Sequence, residues 1–517
     1  MDYSFFVWST ASFIETRLKE KIEYSALEKT VGFSYRHIRE TFKECTGITL
    51  SRYILLRKIA NSAFDIVHTP KSLTEIAGEY MFDSYDTFTR AYKRHISLNP
   101  SEFRNPNCKL KVGRRRILTG FYAPMIMQKE EFARRREEWL VNTSGSTPQI
   151  MENDKSMKNV EKSNDSCILY GVPKVAYTFE ECTPFCVAMK SCLNYMGQQI
   201  DYAYIMATTG AAFRLRWNIN EWDGGNVDIM NIYENPYEAF QRAFQAAGRR
   251  YQLLKREDSS KEEFIQFIKK EIDDGRPVIA FGIIGPPEAC LITGYRDGGN
   301  TLLGWNCFQE NQEYAGNVKL DESGYFITST WWENECTVAL ISVGEEQEKL
   351  GSSRDILENA IDILTKERIT FRDQEKITAE YAGGQKAYEA WASSVGNDKE
   401  FPEQAVLPIL FERLMCQNDA QVMICEGRSY AACYFDRLAG EHGAVADKCK
   451  KVAEYFRKVA ECGFKMNDAK GGFMQDEAAA RKFAEPQSRK TTVSLILKAK
   501  EYEEKACGLI KEILSEL

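Results

Sequence analysis

Two sets of residues in this 517-residue chain could do chemistry: one cysteine at a helix start, and arginines on two short amphipathic segments. In Glu181-Cys-Thr-Pro-Phe-Cys-Val-Ala-Met, Thr183 and Pro184 suit the start of a helix, with proline where the missing N–H is harmless. Cys182 then stands just ahead of that helix, where the dipole favours a thiolate and hence nucleophilic chemistry. A thiolate nucleophile needs a proton-accepting partner. The chain has four histidines, His37, His68, His95 and His442, and none lies between 96 and 441. That stretch cannot supply its own histidine base or a histidine-rich metal site. Fifteen cysteines without a CxxC pair, in a chain with no secretion-like start, read as reduced cytoplasmic thiols. No metal, no cofactor and no membrane span are expected.

The arginines belong to a basic head. Residues 1–120 carry 20 Lys and Arg against 13 Asp and Glu, although the whole chain is at −7. A basic head on an acidic body points to a polyanion partner for the head alone. Between Ser25 and Thr46 the sequence reads as a helix, a turn and a second helix, with Leu27, Val31, Ile38 and Phe42 as a shared core. Gly32 sits in the turn, and Ser34 offers an N-cap. The pattern recurs between Ser72 and His95, around Leu73, Ile76, Ala77, Phe82, Phe88 and Tyr92, with Ser84 as the cap. A helix from Leu50 to His68 would join the two units rigidly.

Residues 23–104 resemble the DNA-binding domain of the AraC/XylS family of bacterial transcription regulators. The resemblance is carried by Gly32-Phe33-Ser34, Phe42 to Gly47, Tyr53-Ile54, Arg57, Ile76-Ala77, Phe82-Asp83-Ser84, Phe88 to Arg94 and Pro100 to Arg104. It departs at Ser97, where relatives carry glycine. The resemblance implies that the second helix of each unit enters the major groove. The matching base readers are Tyr35, Arg36, Arg39 and Glu40, then Tyr85, Asp86, Thr89 and Arg90. Lys43, Lys93 and Arg94 would neutralise phosphates. Promoter DNA, a homodimer mate and, for an activator, RNA polymerase are the partners implied.

Residues 167–345 mix helices with strands; Pro277–Ile284, Ala289–Tyr295, Thr301–Trp305 and Thr337–Val343 read as strands. The Cys182 segment resembles the nucleophile entry of papain-like, bacteriocin-leader-processing cysteine peptidases. That match places Glu288 where those enzymes have histidine and Asn306 near the orienting position, and the expected upstream glutamine is replaced by Ala176, Tyr177 and Thr178. A carboxylate beside a thiol raises its pKa and gives it no imidazolium partner. The catalytic equipment reads as dismantled, and no catalytic residue is expected. The aromatic stretches 202–235 and 301–332 suit the walls of a site for a small organic effector. Cys182, Trp217, Trp222, Glu288, Trp305 and Asn306 are its candidate residues.

The expected architecture is therefore multidomain. An all-α double helix-turn-helix head spans 1–105 and a connector with a flexible polar segment spans 106–165. An α+β papain-like domain follows at 166–345, and an all-α bundle at 346–517. The expected function is a cytoplasmic, effector-controlled transcription regulator with a catalytically inactive body. The alternatives are an active cysteine hydrolase or acyltransferase fused to a DNA-binding head, and a constitutive DNA binder whose body recruits a partner.

Overall fold

The computed structural model describes residues 10, 13–14, 17–46, 49–68, 71–96, 98–104, 158–178, 180–223, 227, 229–309, 318–373, 376–402, 407–471 and 477–517. Most of the connector, with Arg114–Arg116 and Trp139, lies outside them, as do Ser97 and the Gly224–Asn226 loop.

Among the described residues, the helices of the head with defined bounds are α1 (Tyr24–Val31), α2 (Tyr35–Thr46), α3 (Leu50–His68), α4 (Leu73–Glu79), α5 (Tyr85–Ile96) and α6 (Pro100–Arg104). Leu27, Ile38, Phe42, Ile59, Ile76, Phe88 and Tyr92 are buried in its core. Asp65 on α3 ties the second unit down. It accepts hydrogen bonds from Tyr80 Oη and Lys19 Nζ, each at 2.8 Å. The two turns differ. Gly32 closes α1 at φ 78°, and its N–H donates to Glu28 O. In the second unit the left-handed position is Met81, at φ 57°, and one more residue precedes the capping serine. A side chain there costs about 1–2 kcal/mol that glycine does not.

The middle region folds around an antiparallel sheet. Its strands are β1 (Asn159–Lys162), β2 (Cys167–Tyr170), β4 (Arg249–Lys255), β5 (Val278–Phe281), β6 (Ala289–Arg296), β7 (Thr301–Trp305), β8 (Lys319–Leu320), β9 (Phe326–Thr328) and β10 (Ala339–Glu346). The order is β4-β10-β5-β6-β7-β9-β8, with β2 also on β6 and β1 outside β2. The strands expected from apolar runs are β5, β6, β7 and β10, and all four lie at the centre. Helices α7 (Pro184–Tyr195), α8 (Tyr202–Thr208), α9 (Glu238–Ala247) and α10 (Lys261–Asp273) accompany the sheet, and α7 packs on β5 and β6.

The last third is helical: α11 (Ser353–Thr365), α12 (Gly384–Gly396), α13 (Leu407–Val422), α14 (Arg428–Glu441), α15 (Ala446–Ala469), α16 (Glu477–Ala484) and α17 (Pro486–Glu516). Between α13 and α14 the backbone makes one π-helical turn, Met423–Gly427. Close packing fixes that turn: a Cβ on Gly463 of α15 would stand 2.6 Å from Cys425 Sγ. The region is not all helix. A hairpin, β11 (Arg368–Asp373) and β12 (Lys376–Gly383), pairs with β3 (Arg216–Asn218). Ile369 and Phe371 alternate with polar residues there, a period-2 signal embedded between two strongly helical segments.

Sheet and bundle share one core, which holds Leu291 and Ile341 together with Phe435, Phe456 and Ile510. Arg428 fastens the two. Its guanidinium has no solvent exposure and meets Glu503 with two hydrogen bonds, of 2.6 and 2.7 Å. Its remaining nitrogen donates to the carbonyls of Ala212 and Arg214. Tyr388 Oη donates to the same Glu503. Glu503 and Ile510 lie buried on the inner face of α17 beside Ala499, Ala506 and Ile513, and Leu495, Tyr502 and Leu509 are its half-buried flanks.

Breaking a buried pair from one side leaves a bare charge. Arg428→Met is expected to cost about 3–5 kcal/mol in urea unfolding, and Glu503→Leu added to it to recover much of that loss. In the head, Met81→Gly is expected to stabilise by up to about 1 kcal/mol, and Gly32→Ala to destabilise by a similar amount, read from thermal unfolding.

Candidate nucleic-acid interface

The head presents α2 and α5 in the same way. Ser34 Oγ accepts from the His37 N–H at 3.4 Å, and Ser84 Oγ accepts from the Thr87 N–H at 3.1 Å, so each of these helices has its expected cap. The apolar face of each turns inward through Ile38 and Phe42, or Phe88 and Tyr92. What remains outward is the charged set. Arg36, Arg39, Glu40 and Lys43 are exposed on α2, and Asp86, Arg90, Lys93 and Arg94 on α5.

Tyr35 and Tyr85 are half-buried at the helix starts. Tyr35 stacks on Tyr24, with ring centroids 4.1 Å apart, and burial together with that neighbouring phenol pushes its pKa up to about 12. Arg39 lies over the Tyr35 ring at 5.7 Å, which orients its guanidinium while leaving it exposed. Arg36 pairs with Glu40 at 3.1 Å on the open surface, an exposed pair worth only about 0.3–0.5 kcal/mol and so easily exchanged for a base edge or phosphate. Thr89 differs from the rest of the set. Its hydroxyl is buried with no hydrogen-bond partner, so it faces the interior of the domain. His37 packs near Phe33 on α2.

In the body, Cys182 stands immediately before α7, whose N-cap is Thr183. The helix start is already occupied by an anion from the bundle. Glu426 of the π-turn accepts from Cys182 N at 2.5 Å, Thr183 N at 3.1 Å, Thr183 Oγ1 at 2.8 Å and Tyr202 Oη at 2.7 Å. Burial first, and then the Glu426 and Glu180 carboxylates, push the Cys182 thiol well above its ordinary range. The thiol donates to Thr178 O at 3.0 Å. The helix terminus that would favour a thiolate is thus spent on a carboxylate.

The candidate effector residues separate into two groups. Burial first, and then the charges of Glu288, Cys307 and Cys182, push the pKa of the Tyr177 phenol well up, so these groups act on one another electrostatically. Asn306 is nearby but committed: its amide donates to Gly282 O and accepts from Phe308 N, both at 2.8 Å. Trp305 is buried and donates to Val172 O. Trp217 and Trp222 lie elsewhere, in a core shared with the bundle. Trp217 stacks on Trp391 and donates to Ser394, and Trp222 donates to Glu400, which also holds the buried Arg413. These two rings wall a core, not a site with Cys182. The residues missed by sequence reasoning are Glu426 and Arg214, buried charges in apolar company whose partners lie far away in the chain.

Among the described residues, no helix is long and apolar enough to cross a membrane, and no cluster of His, Cys, Asp or Glu is placed to hold a metal.

A family model described as a helix-turn-helix domain matches residues 27–106. The chain is 27% identical over 168 residues to YbfP of Bacillus subtilis, an uncharacterized HTH-type transcriptional regulator, covering 32% of this chain and 51% of the relative. Transcriptional regulator Rob of Salmonella typhimurium is 31% identical over 104 residues, 20% of this chain and 36% of its own. The match thus spans about half of the first relative and about a third of the second. PqrA of Proteus vulgaris, a probable transcription factor, is 33% identical over 93 residues, which are 18% of this chain and 76% of that protein. Capped reading helices, the doubled unit and these likenesses agree, and through its head the chain belongs to the AraC-type helix-turn-helix transcription regulators.

Proposed function

We propose that the chain is an effector-controlled transcription regulator: the head reads promoter DNA, and the body, without catalysis of its own, answers a small molecule. The observation that carries the DNA-reading half is the pair of serine-capped helices, α2 and α5, each with an apolar inner face and an exposed row of arginine and lysine. Arg36, Arg39 and Arg90 are the base readers in this reading, with Lys43, Lys93 and Arg94 on phosphates. The buried hydroxyl of Thr89 argues for its methyl group, not its oxygen, as whatever it offers a base. A homodimer on paired half-sites and contact with RNA polymerase complete the proposal.

The inactive, papain-like character of the body belongs to the same proposal. It is supported by a helix that starts just after Cys182 and packs on β5 and β6, with Glu288 just before β6 and Asn306 just after β7. It is supported further by the carboxylate of Glu426 on the Cys182 N–H, which disfavours a thiolate there.

Arg39→Ala and Arg90→Ala are each expected to lose about 1–3 kcal/mol of discrimination between specific and random DNA, measured by fluorescence anisotropy. Equal losses on both DNAs would assign these arginines to phosphates. Affinity should also fall steeply between low and moderate salt. For the body, Cys182 is expected to be alkylated by iodoacetamide at neutral pH more slowly than free cysteine, because its raised pKa keeps the thiol protonated, with the rate climbing only at alkaline pH. Rapid labelling at neutral pH, together with turnover of an ester or peptide substrate that Cys182→Ala abolishes, would establish the hydrolase instead.

A further inference from the structure

One residue of the body belongs to the core of the head. Among the described residues that core is made of side chains from Phe13 to Phe103, with a single addition from beyond them, Ile409. Ile409 is 3% exposed and sits in the first turn of α13. The two residues after it turn another way. At about 100° per residue, Leu410 and Phe411 stand about 100° and 160° round the helix from Ile409. Both are buried in a different core, shared with Leu414, Trp217, Trp222 and Trp391. α13 is thus held in the body while lending one side chain to the head.

What lies beneath that side chain decides its role. α13 packs on α3, and α3 in turn packs on both α2 and α5. The first unit is fixed to α3 by the rings of Phe42 and Tyr53, edge to face with centroids 5.3 Å apart. The second is fixed by Tyr80 on Asp65 and by Arg104, whose Nε donates to Ile66 O at 2.9 Å. Leu56, Arg57, Asn61, Ser62 and Ala63 of α3 are all buried, a set that goes right round the helix. A shift of α3 is therefore felt by both units. Base-edge hydrogen bonds demand placement within about 0.5 Å, whereas attraction to phosphates is long-ranged and tolerant.

We infer that Ile409 is a positioning residue for DNA recognition: seated from the body in the core around α3, it fixes α2 and α5 in the spacing that base reading requires. Without the side chain a cavity opens in that core, and the neighbouring groups relax into it only in part. The two helices then lose their common register, while the arginines and lysines on their surfaces still attract phosphates. The inference rests on the head's reading of DNA and is independent of effector control.

The test uses the full chain and two duplexes, the sequence it enriches from a randomised pool and a scrambled copy of that sequence. The readout is the ratio of the two affinities by fluorescence anisotropy, which stays constant when a fraction of the protein is merely unfolded. Ile409→Ala is expected to lower that ratio about tenfold, the scale of one mismatched base pair. Affinity for the scrambled duplex and its salt dependence should match the parent chain. Ile409→Leu, which conserves volume, is expected to keep the ratio within about twofold. Leu414→Ala truncates the same helix on the side of the body's core, and should lower thermal stability with the ratio intact. Should Ile409→Ala fail to fold, as judged by circular dichroism, Ile409→Val decides, with an expected loss of about threefold. An unchanged ratio at position 409, equal losses on both duplexes, or an equal fall in Leu414→Ala would overturn the positioning role and leave DNA reading standing. Failure of the parent chain to enrich any sequence would overturn both.

Discussion

A helix that begins inside a protein must find acceptors for its first N–H groups, and the body is organised around how α7 does so. It receives no side-chain cap from its own Thr183; the acceptor is Glu426, which arrives from more than two hundred residues further along the chain. To deliver that carboxylate, α13 gives up α-helical geometry for one π-helical turn, and two residues later Arg428 binds the backbone of Ala212 and Arg214. The sheet is thereby joined to the bundle by charge-assisted bonds at buried positions, where an unmet partner costs several kcal/mol. The start of α7 is thus completed by a residue of the bundle.

The same arrangement bears on the sulfur of Cys182. A cysteine before a helix is reactive when the helix dipole has no other anion to stabilise. Here the dipole already holds one, and the low-dielectric surroundings add their own penalty to a second. In the proposed reading of an inactive body, the absence of histidine between residues 96 and 441 and the presence of Glu426 act in one direction, the first by withholding a base and the second by taking the place where a thiolate would be held.

The head was legible in the sequence because its information is local. Period, cap and turn fall within twenty residues of one another, and helix 50–68 has the bounds its pattern implied. Central strands were equally plain, since β5 and β6 are almost continuously apolar. The hairpin 368–383 was hidden because its alternation lies between helix-forming stretches and is satisfied only by β3, 150 residues away. Glu426, Arg428 and Glu503 were hidden for a different reason. On a helical pattern a charge marks the solvent face, and only tertiary structure turns these three inward. Trp217 and Trp222 were visible as aromatic residues, but their neighbours in the bundle were not, so a core resembled a ligand wall.

Ile409 has a practical bearing on how this molecule can be divided. Because that side chain is seated among the head's own core residues, cutting the chain in the connector would not yield two finished pieces. The separated head would keep an unfilled apolar socket along α3, and the separated body would carry a bare isoleucine at the start of α13. Heads expressed alone would therefore tend to self-associate through that socket unless a polar residue replaced one of its walls.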